Sequence, residues 1–343
     1  MTSDLTSALN RILRWIQQHK PGYVEYLQPG LSIAEIEDLV RELPIQLSPE
    51  VYELYQWRNG ARKGGWSQET AWLFENWTFK PLQEVVAEYQ ECLSRESLQK
   101  TYRVQPKPYF KIFNGFSIFY NIDPSKTGFI WLNKILNFCP VIFEYFDEGS
   151  LSILEKYTSL TSMMLTIAEC YETGACYIDS EVYGGYFISR NPDKSHQIWR
   201  KYNSQIIDLA IQALQQGALS GLFFIYFSDD LIEFKDSRAV EPLIQALQSP
   251  IDQNEDPFDY INSTAEITKI LGELGASQAV PALIAVLEDD YSYNCYYKTR
   301  VYAAKALGQL KDKRATYPLI RTLQDDHSEV RQMAAWALGE LNQ

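Results

Sequence analysis

The feature that most constrains the fold is a sequence motif that occurs three times in the C-terminal part of the chain. The aligned segments are residues 238–244, 278–284 and 314–320. Each carries a proline that precedes an apolar helical pattern, namely Pro242, Pro281 and Pro318. Proline is tolerated in the first helical turn, because its missing N–H would have no partner there. The motif therefore predicts three equivalent helices.

A second type of helix alternates with these three. Its signature is Leu-Gly-x-Leu, with Gly272, Gly308 and Gly339 separated by 36 and then 31 residues. Alanines before Gly308 and Gly339 allow neighbouring helices to pack closely. Self-similarity with this period is typical of stacked two-helix units, which bury a continuous core only by stacking. Residues 204–343 are therefore predicted to form an all-α solenoid, in which helices at 205–214 and 219–232 precede the first clear unit.

Residues 236–343 resemble short HEAT repeats of the variety found in cyanobacterial bilin lyases. The proline, alanine and Leu-Gly positions carry this resemblance, which implies a protein-binding array. Arg331 aligns with Arg300, and in such repeats an arginine at this position commonly pairs with a turn aspartate of a neighbouring unit. Trp336 aligns with Lys305 and is expected to cap the array rather than to contact a partner.

The N-terminal half has a different pattern, rich in aromatic residues. Ser32 and the pair Ser48-Pro49 are predicted to begin helices, and Asn59-Gly60 to end the second one, since both residue types accept left-handed backbone angles. Strand-like segments are 71–74, 109–113, 116–122, 129–132 and 141–146, and further helices are predicted at 82–93 and 152–171. An Asn-Gly hairpin is expected within 111–118. Residues 1–203 are therefore predicted to form an α+β domain around an antiparallel sheet with flanking helices.

This N-terminal order resembles the SUKH superfamily, which is known from yeast cell-wall regulators and bacterial toxin-immunity proteins. The helix start at 32–37, the segment 47–60, and Asp123-Pro124 with Gly128 carry the resemblance. The basic stretch after Gly60 and the tail 172–202 depart from the pattern. The resemblance implies a non-catalytic module that binds another protein.

The net charge of −13 is concentrated towards the C-terminus. Residues 204–343 carry 11 basic and 20 acidic residues. Such a surface repels phosphate backbones, which argues against nucleic acid as the main partner. Two interpretations stay open: the acidity attracts a basic protein, or it serves solubility alone.

The proline helices are predicted to line the concave, partner-binding face of the array. The side chains expected on this face or its rim are Glu241, Gln245, Gln248, Glu288, Arg321 and Gln324.

No motif for catalysis, a cofactor or a metal stands out. The chain contains three histidines, none with a second His or Cys at metal-binding spacing, and no phosphate-binding loop. Asp229-Asp230 is expected in a solvated turn, and 249–262 in an acidic loop. Five unpaired cysteines and the absence of a long apolar segment predict a cytoplasmic chain with no membrane contact. A non-catalytic adaptor or immunity-type protein is predicted; the alternative is a bilin-lyase-like accessory factor acting on a tetrapyrrole or phycobiliprotein.

Overall fold

The structure of the protein, a computed structural model, describes residues 2–62, 72–74, 77–102, 115–120, 126–131, 140–147, 150–179, 187–215, 221–248, 257–288 and 297–342. The chain divides into two compact units, Met1–Gln205 and Ile206–Gln343. The predicted strand 109–113, and Asn114 of the predicted Asn-Gly turn, lie outside the described residues.

The first unit contains seven helices among its described residues. They are α1 (Asp4–His19), α2 (Pro21–Val24), α3 (Ile33–Val40), α4 (Pro49–Trp57), α5 (Leu82–Tyr102), α6 (Leu160–Glu172) and α7 (Pro192–Asn203). Helix α1 illustrates why these segments are helical. The Ser3 hydroxyl accepts a hydrogen bond from the Thr6 amide at 3.1 Å, and Leu5, Leu9, Ile12 and Ile16 make one buried stripe. At α3, Ser32 and Glu35 form a capping box, which confirms the predicted helix start.

Ten strands are described in the same unit. They are β1 (Leu27–Pro29), β2 (Arg58–Ala61), β3 (Trp72–Phe74), β4 (Trp77–Phe79), β5 (Gly115–Tyr120), β6 (Lys126–Trp131), β7 (Val141–Asp147), β8 (Ser150–Tyr157), β9 (Cys176–Asp179) and β10 (Phe187–Arg190). Strands β3 to β8 form an antiparallel sheet in sequence order, whereas β1 pairs with β2 and β9 with β10. The predicted antiparallel sheet with flanking helices is therefore present.

The core of the first unit is aromatic. The side chains of Phe74, Phe79, Phe119 and Phe143 are fully buried. Phe74 meets Phe119 edge to face at 5.6 Å between ring centroids, and Trp77 packs on Phe143 at 4.3 Å. Such contacts add to the large apolar area that each ring buries. The aromatic excess of the sequence thus fills the space between the sheet and the helices.

The predicted helix 152–171 is wrong in its first part. Ser150–Tyr157 is strand β8, which pairs with β7 over its whole length. The helix begins only at Leu160, where Ser159 and Ser162 form a capping box. The predicted inward residues Leu160, Met163, Met164, Ile167 and Ala168 are buried. Pairing with a strand close in sequence therefore overrides the helical pattern before Ser159.

The second unit is helical throughout its described residues. Its helices are α8 (Ile206–Gln215), α9 (Gly221–Phe234), α10 (Val240–Gln248), α11 (Pro257–Glu273), α12 (Val280–Glu288), α13 (Tyr297–Leu310), α14 (Thr316–Thr322) and α15 (Ser328–Leu341). We call α10, α12 and α14 the proline-helix row, and α11, α13 and α15 the second-helix row. Helices of each row contact one another in chain order, and α9 packs on α11.

Two sequence expectations fail in this unit. The predicted loop 249–262 is shorter, because α11 already begins at Pro257, a residue suited to the first turn. Residues 249–256 lie outside the described residues. Asp230 is only 3% exposed and lies within α9, so it is not a solvated turn residue. Asp229, its neighbour on the same helix, is exposed.

Candidate protein-interaction surface

The proline-helix row exposes all six side chains that the sequence selects as partner-binding candidates. Glu241 accepts a hydrogen bond from Gln245 at 3.1 Å within α10. Arg321 pairs with Glu288 of the preceding unit at 3.2 Å. The structure places Gln248 at the end of α10 and Gln324 just after α14. The row is therefore an accessible polar surface in which one of the two acidic candidates is already partly neutralised.

In the sequence, acidic segments follow two helices of this row. Segments 249–256 and 289–296, which connect the two helices of the first two units, carry five acidic residues and no basic ones. Both segments lie outside the described residues. They follow directly after Gln248 and Glu288, the last residues of α10 and α12.

The second-helix row presents a different polar surface. Glu273 of α11 accepts hydrogen bonds from Gln309 of α13 at 3.2 Å and from Lys305 at 3.5 Å. These bonds lower the pKa of the Glu273 carboxyl, with the Gln309 bond the largest cause, against an opposing effect of burial. Trp336 is 42% exposed, and its ring lies beside Gly308 of the preceding helix. The ring therefore lies against the preceding unit, and the expectation that Trp336 caps the array stays a prediction.

Small residues set the distance between neighbouring second helices. A Cβ atom built on Gly272 would lie 2.9 Å from the Cα atom of Ala306, and one built on Gly308 would lie 2.8 Å from the Cα atom of Ala337. Real side chains do not approach backbone atoms so closely. Gly272 and Gly308 of the Leu-Gly signature therefore mark points where helix backbones are in direct contact.

An Asp-x-Arg turn precedes two of the three proline helices. The Asp312 carboxylate accepts hydrogen bonds from the Arg314 amide at 2.9 Å and from its guanidinium at 2.6 Å. These bonds hold the pKa of Asp312 at about 2. Asp236 and Arg238 repeat the arrangement, and Arg238 also pairs with Asp208 of α8 at 2.8 Å. Sequence analysis missed this motif because Gln278 replaces the arginine in the middle unit.

The aligned arginines differ in their partners. Arg300 forms a two-bond ion pair with Asp325 of the next unit, at 2.7 and 3.1 Å, with side chains only 13% and 11% exposed. This confirms the predicted pairing with a turn aspartate. Arg331 instead donates to the backbone carbonyl oxygens of Asp325 and Asp326, at 2.7 and 2.9 Å. Both arginines therefore hold the turn before α15 in place.

The Arg300–Asp325 pair should make the stability of the second unit depend on pH. Burial of the Asp325 carboxyl opposes its charged form, but the Arg300 and His327 hydrogen bonds outweigh this and lower its pKa below the ordinary 3.8. Its contribution is therefore complete above that value and is lost as the pH falls through the lower folded pKa. We expect Asp325→Asn to reduce the free energy of unfolding by about 1–3 kcal/mol at pH 7.

Urea unfolding followed by far-UV circular dichroism at pH 7 and pH 3 measures this effect. The difference between Asp325→Asn and the parent should shrink at pH 3. Asp326→Asn is the matched control, because the Asp326 side chain is exposed in the same turn. Equal effects of the two substitutions at pH 7 would contradict a role for the ion pair.

A recess of about 770 Å³ lies on the first unit, between α1, the end of α6 and β9. Trp15 forms its wall, stacked between His19 and Tyr171 at centroid distances of 4.3 and 4.2 Å. Arg11 is held by two bonds to Glu172, which lower the pKa of that carboxyl. The recess is open to solvent and could accommodate a side chain of a partner.

Metal-ligating side chains do not cluster in the described part of the chain. Within it, no three His, Cys, Asp or Glu residues are placed to hold a metal ion. The histidines stack on aromatic rings: His19 on Trp15, His196 on Trp199, and His327 on Tyr297. The side chains of Cys170 and Cys176 are buried. Among the residues described, no helix is long and apolar enough to cross a membrane.

Comparison with known families supports the repeat assignment. Residues 293–343 match the family model of HEAT repeats, and residues 265–289 match that of the PBS lyase HEAT-like repeat. The matched residues include α12, α13, α14 and α15 and most of α11. No match to a SUKH domain is found in the N-terminal half, so that resemblance stays a prediction. No curated protein matches the chain.

Proposed function

We propose that this chain is a non-catalytic protein-binding scaffold whose HEAT-like solenoid presents the proline-helix row to a protein partner. The observation that carries the proposal is the repeated helical unit that matches HEAT repeats and keeps a row of polar side chains exposed. Stacked repeats of this kind offer extended surfaces on which many contacts act together. The proposed contacts are Glu241, Gln245, Gln248, Glu288, Arg321 and Gln324.

The electrostatics favour a basic partner. Glu241 and Glu288 are exposed on the proline-helix row, and five more acidic residues follow α10 and α12 in the sequence. We therefore expect a positive surface that approaches this row to meet a negative field. Such a field accelerates association and weakens when salt screens it over about 8–10 Å. Binding should therefore be stronger at low salt.

The first unit fits an adaptor or immunity-type role in the cytoplasm. Its support is the SUKH resemblance of residues 1–203 and the open, aromatic recess at Trp15. We propose that this unit provides a second contact with the same partner or with another protein.

One observation favours a second candidate function, that of a bilin-lyase-like accessory factor. The match of residues 265–289 to the PBS lyase HEAT-like repeat is its only support. A protein of this kind should bind a tetrapyrrole and change its visible absorbance. Titration of the purified chain with a bilin separates the candidates, because an adaptor leaves the absorbance spectrum unchanged.

Charge reversal on the proline-helix row tests the main proposal. We expect Glu241→Lys/Glu288→Lys to reduce partner capture from the native cell about fivefold to tenfold at low salt, and by less at high salt. Both side chains are exposed, so the variant should unfold at nearly the same temperature as the parent.

The matched control is Glu266→Lys/Glu340→Lys, which changes the net charge equally but lies on the second-helix row. It should leave capture near the parent level. If both double variants capture equally well at every salt concentration, the proline-helix row is not the binding surface. If only the control variant loses capture, the second-helix row is the binding surface.

A further inference from the structure

The recess on the first unit is lined along one side by a single face of α1. Arg11, Arg14, Trp15 and Gln18 line it at the helical spacing i, i+3, i+4 and i+7, so they form one continuous strip, which we call the α1 ridge. Strand β9 adds Tyr177, which is 46% exposed. Arginine, tryptophan and tyrosine are the residues that most often carry the binding energy of protein interfaces. The recess therefore has the composition of a binding site.

The charges that line this recess do not balance. Glu172 is the one carboxylate among its described lining residues, and Arg11 pairs with it, with the Nε bond at 2.8 Å. The Arg11 hydrogen bond is the main cause of the lowered pKa of Glu172, and the nearby charge of Arg14 adds to it. Glu169 lies close to Arg11 as well, but Lys201 pairs with that carboxylate at 2.6 Å. One positive charge, that of Arg14, is therefore left without an ion-pair partner within the described residues.

The α1 ridge also offers hydrogen-bond donors to a ligand. The Nε atom of Arg14 donates to the Asn10 carbonyl oxygen over a long 3.4 Å, and the terminal N–H groups of Arg14 have no partner in the part of the chain that the structure describes. The ring of Trp15 is stacked on His19 and Tyr171, so it presents its edge, which is the positive part of an aromatic ring. Each of these features favours a ligand that is negatively charged and rich in electrons.

The shape of the recess favours a protein segment over a small molecule or a nucleic acid. Sites for small molecules enclose most of their ligand, whereas this recess of about 770 Å³ is open to solvent. Nucleic acid also combines rings with negative charge, but the net charge of −13 opposes the approach of a polyanion. A peptide segment brings only the few charges that its own sequence places at the recess.

We infer that the recess binds a segment of a protein partner in which an aromatic side chain is flanked by Asp or Glu. The aromatic side chain packs against Trp15 and Tyr177, and an adjacent carboxylate binds the Arg14 guanidinium. The inference rests on the second contact proposed for the first unit and gives that contact a charge preference opposite to that of the proline-helix row. It does not depend on binding at that row.

Fluorine NMR of the intact chain, labelled with a fluorinated tryptophan, tests this inference. The Trp15 resonance is assigned from the Trp15→Phe variant. The probes are the synthetic peptides Asp-Glu-Phe-Glu-Asp, Asp-Glu-Ala-Glu-Asp and Lys-Arg-Phe-Arg-Lys. We expect the first peptide to shift the Trp15 resonance with a Kd of about 0.1–1 mM, and the other two to bind at least about tenfold more weakly. Added salt should weaken the binding of the first peptide.

Reversal of the unpaired charge gives the matching variant. Arg14→Glu should weaken binding of Asp-Glu-Phe-Glu-Asp at least about tenfold, because the carboxylates of the peptide then meet a like charge. Arg41→Glu is the matched control, since Arg41 is also an exposed arginine of the first unit but does not line the recess. It should leave the Kd within about twofold of the parent value. Both variants should keep the melting temperature of the parent.

Three results would overturn the inference. The first is a Trp15 resonance that does not shift at about 5 mM of the acidic aromatic peptide. The second is equal loss of affinity in Arg14→Glu and Arg41→Glu, or in neither. The third is tighter binding of a single-stranded oligothymidylate than of the acidic aromatic peptide, which would assign the recess to nucleic acid. None of these results changes the capture expected for Glu241→Lys/Glu288→Lys, so the two proposals fail separately.

Discussion

Gly60→Ala should destabilise the first unit by about 3–5 kcal/mol, one of the largest effects of any single methyl group in this chain. Gly60 has a φ of +68°, in the left-handed region that side chains disfavour. A Cβ there would lie 2.3 Å from the carbonyl carbon of Lys80 and 2.3 Å from the nitrogen of Pro81. Both are backbone atoms, so the strand β2 and the start of α5 must move apart.

Gly174→Ala is the matched control for this substitution. Its φ is +69°, but an added Cβ would meet no atom within 4 Å. Gly174→Ala should therefore reduce the free energy of unfolding by about 1–2 kcal/mol, which is the cost of a left-handed backbone angle for a residue with a side chain. Urea unfolding followed by tryptophan fluorescence suits the comparison, because seven of the eight tryptophans lie in residues 1–205. Equal losses at the two glycines would contradict the close packing at Gly60.

Gly308→Ala should destabilise the second unit by about 1–3 kcal/mol, although alanine favours helices by up to about 1 kcal/mol. The added Cβ would lie 2.8 Å from both the Cα atom of Ala337 and the Cζ3 atom of Trp336. Helices α13 and α15 would have to separate, and the loss of their packing exceeds the gain in helix propensity.

Gly339→Ala repeats the same change in the equivalent position of the last unit. Nothing lies within 4 Å of its added Cβ, so only the helix propensity changes and stability should rise by about 0.5–1 kcal/mol. Thermal unfolding followed by far-UV circular dichroism measures both variants. We expect Gly308→Ala to lower the stability and Gly339→Ala to raise it. A stabilising Gly308→Ala would contradict the role assigned to the Leu-Gly signature.

The repeat array could be predicted from sequence largely because its determinants recur. The alignment that placed Arg300 beside Arg331 also predicted the pairing of Arg300 with a turn aspartate. The sequence does not reveal contacts between residues that are far apart in the chain. The pairing of Arg321 with Glu288, 33 residues away, lowers the effective acidity of the proline-helix row, and no local pattern indicates it.

The segment around Asn59 shows a similar limit in the first unit. The sequence predicts that Asn59-Gly60 ends α4 through left-handed backbone angles. In the structure Arg58 is already extended, with a φ of −154°, and only Gly60 has a positive φ. The side-chain Oδ1 atom of Asn59 accepts a hydrogen bond from the Leu82 amide at 2.9 Å, at the start of α5. This partner is 23 residues away, so composition alone could not assign the role of Asn59.

At the start of α6, a carboxylate likewise accepts hydrogen bonds from backbone amides. Glu50, in the first turn of α4, accepts hydrogen bonds from the amides of Leu160 and Thr161, both at 3.1 Å. A negative charge at a helix N-terminus is favourable, because it meets unpaired N–H groups. The segment that most supports the SUKH resemblance therefore organises the first unit through polar contacts at two helix starts.

The central claim is that the second unit of the chain binds a protein through its proline-helix row. Cross-linking of the captured complex with a lysine-reactive reagent, followed by mass spectrometry, tests it most directly. Lys235 and Lys313 are exposed in the turns that precede α10 and α14, whereas Lys194 and Lys201 are exposed on the first unit. We predict that the partner is cross-linked mainly to Lys235 and Lys313. Cross-links confined to Lys194 and Lys201 would contradict the claim and assign binding to the first unit.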